Sequence, residues 1–117
     1  MTKYHAKKTT IDGITFDSKL EAERFQQLRL LEQAGEISNL TLQPEFQIFI
    51  GRRDSKTGEK VKSRYYVGDF MYIDRTEHKV IVEDTKGVET PEFRHKWDLA
   101  KSMYPEYEFR KVRREDI

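Results

Sequence analysis

The stretch "YVGDFMYIDRTEHKVIVEDTKG", residues 66–87, limits the fold more than any other part of the chain. Two runs rich in aromatic and β-branched residues flank a polar loop, Arg75 to His78, which is the pattern of a hairpin. With Asp74 facing Lys79 across that loop, opposed residues have numbers summing to 153, and Asp69 falls opposite Asp84. Opposed residues share a face. One face then holds Val67, Asp69, Met71 and Ile73 with Val80, Val82, Asp84 and Lys86; the other holds Tyr66, Phe70, Tyr72 and Ile81. Both faces are largely apolar, so both need cover, and the hairpin belongs in the interior.

The covering elements are legible on either side. "SKLEAERFQQLRLLEQAG" predicts a helix with Ser18 as N-cap and Glu21 at the capping-box spacing. Leu20, Phe25, Leu28, Leu31 and Ala34 form its expected buried stripe, and Gly35 its stop. Upstream, Asp12-Gly13 marks a turn between short extended flanks. "ISNLTLQP" reads as a connection, "EFQIFI" as a first strand, residues 61–73 as a second and Lys79–Thr85 as a third. Thr90 and Pro91 start a second helix, along which Phe93, Trp97, Ala100 and Tyr104 recur at helical spacing before Pro105. "YEFRKV" reads as a fourth strand, and the helix before it makes a parallel pairing the expected outcome. The expected fold is α/β, in the order α-β-β-β-α-β, with a mixed four-stranded sheet flanked by helices. At 117 residues this is one domain, with residues 1–10 as a basic N-terminal arm.

Charged residues make up 37% of the chain, yet the net charge is only +1, so any pull on a polyanion must come from local patches. Lys3, Lys7 and Lys8 stand without an acid in the first ten residues. Arg52, Arg53, Lys56, Lys60, Lys62 and Arg64 face only Asp54 and Glu59 within residues 52–64. Such patches meet phosphates or simply keep a protein soluble. The absence of cysteine excludes a disulfide framework and a thiolate metal site. No apolar run approaches the roughly 18 residues of a spanning helix, and the first residues do not read as a signal peptide, so no membrane partner and a cytoplasmic location are expected.

Two carboxylates opposed on a half-buried face repel each other or share a proton. A hard divalent cation such as Mg²⁺ removes that cost. Lys86, two residues beyond Asp84 and on the same face, offers another solution as an ordinary ion-pair partner, and the residues leave both open. Glu83 points to the opposite face and is expected to be a satisfied side chain. Glu21 lies inside the buried arc of the first helix, where it either completes the cap with Ser18 or reaches over the sheet toward the ionic end of the hairpin.

"GDF", "VEDTKG" and the upstream "FDSKLEAERF", taken with this element order, resemble the PD-(D/E)XK nuclease superfamily. More narrowly, "KYHAKKTTIDGITFDSKLEAERFQQLRLLEQAGEISNLTLQPEF" resembles the small phage and prophage proteins of the DUF1064 group, which are similar to endonucleases and Holliday-junction resolvases. The likeness covers nearly the whole chain and implies a restriction-endonuclease-like core. It gives Asp69 the place of the first motif aspartate, Asp84 the second acid, Lys86 the motif lysine and Glu21 the helix-one glutamate. It adds the Thr85 backbone carbonyl to a metal-ligand set of Glu21, Asp69 and Asp84. Gly68 stands where the name-giving motif has proline. The implied activity is hydrolysis of DNA phosphodiesters with Mg²⁺ or Mn²⁺, inside a bacterial host cell.

Smaller candidates remain. Gln43 reaches the site in similar proteins, or it braces a loop. Arg94 and Lys96 contact DNA or are solvated helix positions, and Tyr4 and His5 either stack on nucleic acid or belong to a fraying end. His78 and His95 lack a partner at ligand spacing. Lys3, Lys7, Lys8, Arg52, Arg53, Lys60, Lys62 and Arg64 are the expected phosphate contacts, with no base-reading motif among them. The expected activity is therefore a metal-dependent endonuclease on branched or structured DNA, as a homodimer if it resolves junctions symmetrically. The alternatives are a non-catalytic nucleic-acid-binding accessory protein and an end-processing or restriction-like nuclease.

Overall fold

The computed structural model describes residues 7–117, so the arm candidates Lys3, Tyr4 and His5 lie outside the described residues. In chain order the first elements are β1 (Thr9–Ile11), β2 (Ile14–Phe16), α1 (Lys19–Gln33), β3 (Ile37–Leu42), β4 (Glu45–Phe49) and β5 (Arg52–Arg53). There follow β6 (Lys60–Val61), β7 (Arg64–Val67), β8 (Phe70–Asp74), β9 (Lys79–Thr85), α2 (Pro91–Met103), β10 (Glu108–Val112) and a closing 3₁₀ turn (Arg114–Asp116). Among the described residues no helix is long and apolar enough to cross a membrane.

Local chemistry explains the punctuation. Asp12 and Gly13 take φ of 52° and 80°, the two left-handed residues that a tight β1–β2 hairpin demands. Ser18 Oγ accepts the Glu21 N–H at 3.1 Å and opens α1. At the other end Gly35, with φ of 79°, donates to the Glu32 carbonyl while Glu36 donates to Leu31, a complete Schellman stop. The Thr90 side chain accepts the Phe93 N–H, and Pro91 begins α2 as expected.

The molecule is α/β, with two helices and a mixed four-stranded sheet in the order β10-β9-β8-β3. β10 runs parallel to β9, while β8 is antiparallel to both β9 and β3. The β8–β9 register pairs Phe70 with Glu83 and Asp74 with Lys79, the expected pairing.

Three details depart from the sequence reading. The segment 37–44, read as a connection, supplies strand β3, which joins the main sheet through an irregular register around Asn39 at φ 58°. That irregularity breaks the period-2 pattern by which a strand is recognised. The run 61–73 is not one strand, because it is interrupted at Gly68 and Asp69. Its first part, β7, leaves the main sheet to pair with β4, so "EFQIFI" belongs to a separate ladder and not to the four-stranded sheet. The interruption also carries Tyr66 to the side of the sheet opposite Phe70.

Both faces of the sheet are covered. Phe16, Ala22, Phe25, Leu28 and Ile37 pack on Phe70, Tyr72 and Ile81 on the α1 side. On the α2 side Phe46, Ile48 and Tyr66 meet Val82, Trp97, Ala100 and Phe109. The α1 stripe is shifted from the expected one. Ala22 is buried, Leu20 and Leu31 are half-buried, and Ala34, at the helix end, is exposed. Beyond β4 and β7 the chain continues into the small β5–β6 ladder, and the molecule measures 56 × 41 × 26 Å. Its radius of gyration of 16.5 Å exceeds the ~13 Å of a compact chain this long, as a projecting arm requires.

Glu83 is fully buried on the α1 side, yet it is satisfied. Arg24 donates to it from Nε at 2.8 Å and Nη2 at 2.6 Å, and the Tyr72 hydroxyl donates as well. Removing one partner of a buried ion pair leaves an uncompensated charge. Arg24→Leu is expected to lower the unfolding free energy by about 3 kcal/mol in urea denaturation. The double substitution Arg24→Leu/Glu83→Leu should recover much of that loss. Equal losses in the single and double variants would show that the pair is not what holds this region.

Candidate active site

The acids at the open end of the hairpin are held by different partners. Asp69 stands at the interruption before β8, its N–H donating to the Glu83 carbonyl at 2.9 Å. Its Oδ2 accepts both the backbone N–H and the hydroxyl of Thr85, each at 2.7 Å. Asp84 is 2% exposed; its Oδ2 accepts the Tyr66 hydroxyl at 2.6 Å. Asp84 Oδ1 is buried and accepts no hydrogen bond, although the Lys86 ammonium forms an ion pair with it at 3.2 Å. Lys86 in turn lies 4.4 Å above the centre of the Phe93 ring, so α2 supports it from the far side.

Burial and mutual repulsion set the protonation of this group. Burial, then the charge of Asp69, pushes the Asp84 carboxyl from its ordinary 3.8 up to about 7, against the pull of Lys86 and Tyr66. Burial likewise raises Asp69, opposed by the two Thr85 hydrogen bonds and Lys86. Glu21, in the first turn of α1, is raised from 4.5 to about 7 by burial first, then by Asp69 and Asp17, with a smaller push from Asp84. The Tyr66 phenol is lifted well above its usual range by burial and by Asp84. Glu21, Asp69 and Asp84 therefore share one electrostatic neighbourhood at the end of β9, with Lys86 beside it.

The arrangement corrects one expectation of place. Asp84 and Lys86 are roofed by Tyr66 and Phe93 on the α2 side and do not lie beneath α1, because the interruption at Gly68 brings Tyr66 across. Tyr66 and the Thr85 hydroxyl are the two site residues that sequence reasoning missed. The glycine before Asp69 was the signal for Tyr66, since a strand broken there no longer keeps its alternation of faces.

Oxygen donors alone, with a buried carboxylate oxygen lacking a hydrogen bond, suit a small hard cation. The residues present fit Mg²⁺ or Mn²⁺ in that chemical sense. Among the described residues, however, no three acidic or imidazole side chains are grouped closely enough to hold a metal ion as they stand. Asp69 and Asp84 are the nearest to a ligand pair.

The other candidates are dispersed. The Gln43 N–H braces the Asp69 carbonyl at 2.9 Å, with φ of 50° at Gln43. Its surroundings are Met71, Tyr104 and Tyr107 in a shallow cavity on the α2 side. Lys96 is paired with Glu92 at 3.3 Å. Arg94 lines a cavity beside Lys86. Arg52, Arg53, Lys60 and Lys62 line a groove on the arm, Arg64 is exposed at its base, and Lys7 and Lys8 are exposed near the chain start.

Raised carboxyl pKa values carry a sign. Glu21 and Asp84 hold a proton more tightly in the folded protein than in the unfolded chain. Their contribution therefore favours folding at acidic pH and is lost as pH rises toward about 7. In metal-free buffer the melting midpoint is expected to fall by roughly 5 °C or more between about pH 5 and about pH 8. Glu21→Gln and Asp84→Asn should each flatten that profile, and added Mg²⁺ should raise the midpoint at the alkaline end. Identical profiles in all three proteins would contradict the shared neighbourhood.

Neither a curated protein nor a solved structure matches the chain. A family model does, over residues 1–115, a span that includes every residue of the site just described. The chain therefore belongs to the family described as "Protein of unknown function (DUF1064)".

Proposed function

We propose that this protein is a divalent-metal-dependent DNA endonuclease of the PD-(D/E)XK kind, with Asp69, Asp84 and Lys86 at its centre and Glu21 beside them. The observation that carries the reading is the buried Asp84 Oδ1, which accepts no hydrogen bond while Asp69 and Lys86 stand next to it. A buried carboxylate oxygen without a partner is costly, and proteins keep such groups where another atom is to be met.

A bound Mg²⁺ or Mn²⁺ would offset the two carboxylates, polarise the phosphoryl group and lower the pKa of a water. Asp69, clamped by Thr85, and Asp84, clamped by Tyr66, present their oxygens from fixed positions. Lys86 places an ammonium where negative charge grows on the phosphate oxygens during attack. Glu21, with its carboxyl raised to about 7, can take up a proton near neutral pH. In the reaction, water oxygen bonds to phosphorus, the bond to the 3′ oxygen breaks, and that oxygen leaves with a proton. The products carry 5′-phosphate and 3′-hydroxyl ends.

The projecting basic arm supports a nucleic-acid substrate. Arg52, Arg53, Lys60 and Lys62 on a two-stranded extension contact phosphates without reading bases. Shape, as in branched or structured DNA, is then the basis of selection, and two copies would be needed to cut a junction symmetrically. The lack of a ready-made triple of ligands favours one other reading, a nucleic-acid-binding protein whose Asp84–Lys86 pair is structural.

Incubation with Mg²⁺ or Mn²⁺ and matched linear, flap, fork and four-way DNA separates these readings. Cleavage is expected to require the ion and to fall by roughly a hundredfold or more in Asp69→Asn, Asp84→Asn and Lys86→Ala, with DNA binding retained. Preference for linear duplex would indicate an end-processing or restriction-like enzyme. Binding of DNA with no cut on any substrate, in either ion, would leave the binding protein.

A further inference from the structure

Beside Lys86, three elements end around a polar cavity of about 510 Å³. β9 brings Lys86 and the following Gly87, the first turn of α2 brings Arg94, and the end of β10 brings Lys111 and Arg113. The parallel β9–β10 register places Lys111 level with Asp84 and Val112 level with Thr85. The Lys86 N–H donates to the Val112 carbonyl at 3.0 Å, which fixes the two strand ends together. The cavity therefore adjoins the acid pair by construction.

Its charge is one-sided. Four cationic side chains line it against a single carboxylate, Glu89. Glu89 is shared between Lys111 at 2.9 Å and Arg113 at 2.7 Å, and these two cations hold its carboxyl below the usual range. Arg94 has no ion-pair or hydrogen-bond partner for its guanidinium among the described residues, and Lys86 faces only Asp84. Four like charges converging on one cavity repel each other, and one carboxylate relieves only part of that. An anion with several oxygen acceptors would relieve the rest. Two arginines offer forked N–H donors that match phosphate geometry, and the positive end of α2 adds to the same field.

We propose that this cavity is a phosphate-binding subsite, formed by Arg94, Lys111 and Arg113 with Lys86 at its inner edge. It seats a phosphate of the nucleic-acid substrate next to the one presented to Asp69 and Asp84. Its role as a substrate anchor rests on the nuclease reading; its affinity for phosphate does not. The phosphate is either a terminal monoester, close to dianionic at neutral pH, or an internal diester of the strand.

The test separates these in metal-free protein held in chelator, where no cleavage occurs. Inorganic phosphate is titrated while backbone amide signals are followed by NMR. Shifts are expected at Gly87, Arg94, Lys111 and Arg113, and not on the arm at Arg53 or Lys60. Arg94→Gln and Arg113→Gln should each weaken phosphate binding by about tenfold, with unchanged circular dichroism. A short oligodeoxynucleotide is then compared with and without a 5′-phosphate. Tighter binding of the phosphorylated strand, lost in Arg94→Gln, assigns the terminal group. Equal binding of both strands, weakened equally by Arg94→Gln, assigns an internal one. Absence of shifts at the cavity, or wild-type affinity in both variants, overturns the proposal. Phosphate binding at the cavity in a protein that cuts no DNA would overturn the nuclease reading alone.

Discussion

The interruption at Gly68 and Asp69 is the constraint on which the rest of the site depends. A continuous strand from Arg64 to Asp74 would alternate faces and keep Tyr66 with Phe70. Instead Gly68 donates to the Pro44 carbonyl, Asp69 donates to Glu83, and Gln43 donates to Asp69, each at 2.9 Å. These bonds tie three segments at one corner. β7 is released to pair with β4, Tyr66 swings to the α2 side to meet Asp84, and Asp69 is left with its side chain on Thr85. The corner thus converts an ordinary hairpin into a hairpin with two carboxyls converging at its open end.

Neighbouring residues on β9 show two ways of burying a carboxylate. Glu83 faces α1, where Arg24 and Tyr72 satisfy it, and its charge is offset on the spot. Asp84 faces α2, where a phenol and a half-engaged ammonium leave one oxygen unfilled and its pKa near 7. Burial is close to complete for both, so desolvation does not distinguish them. The difference is partner supply. Glu83 is anchored and serves the fold, whereas Asp84 retains unspent affinity for a positive charge. The loop and strand ends beyond Lys86 carry the opposite imbalance, cations in excess of anions, within reach of the same substrate.

Much of this was readable in the residues. The hairpin register followed from the four-residue loop, because its length fixes which residues oppose one another, and the capped starts of both helices followed from Ser18 and from Thr90-Pro91. The pairing of Asp69 with Asp84 was legible for the same reason. What was not legible depended on long-range contacts. Strand β3 hides behind an irregular register at Asn39, and only its pairing with β8 makes it a strand. The interruption at Gly68 requires Pro44 as an acceptor, 24 positions away. The cationic cavity joins Arg94 to Lys111 and Arg113, which only the parallel β9–β10 register brings together.

Gly68 also accounts for the one departure from the motif that the chain resembles. Proline at this position would have no N–H to give to the Pro44 carbonyl, the bond that closes the corner. Any Cβ here would sit 3.1 Å from Val82 Cγ1 and 3.4 Å from Pro44 Cγ, with the Glu83 carbonyl at 3.5 Å, tighter than side chains ordinarily pack. Glycine therefore lets the backbone lie flat against β9 and Pro44, and that close approach is what brings Asp69 within 2.7 Å of Thr85. A proline before the aspartate stiffens a corner by restricting its own backbone. Here the stiffness comes from three hydrogen bonds and a proline on the neighbouring segment, so the aspartate is positioned by contacts across the fold.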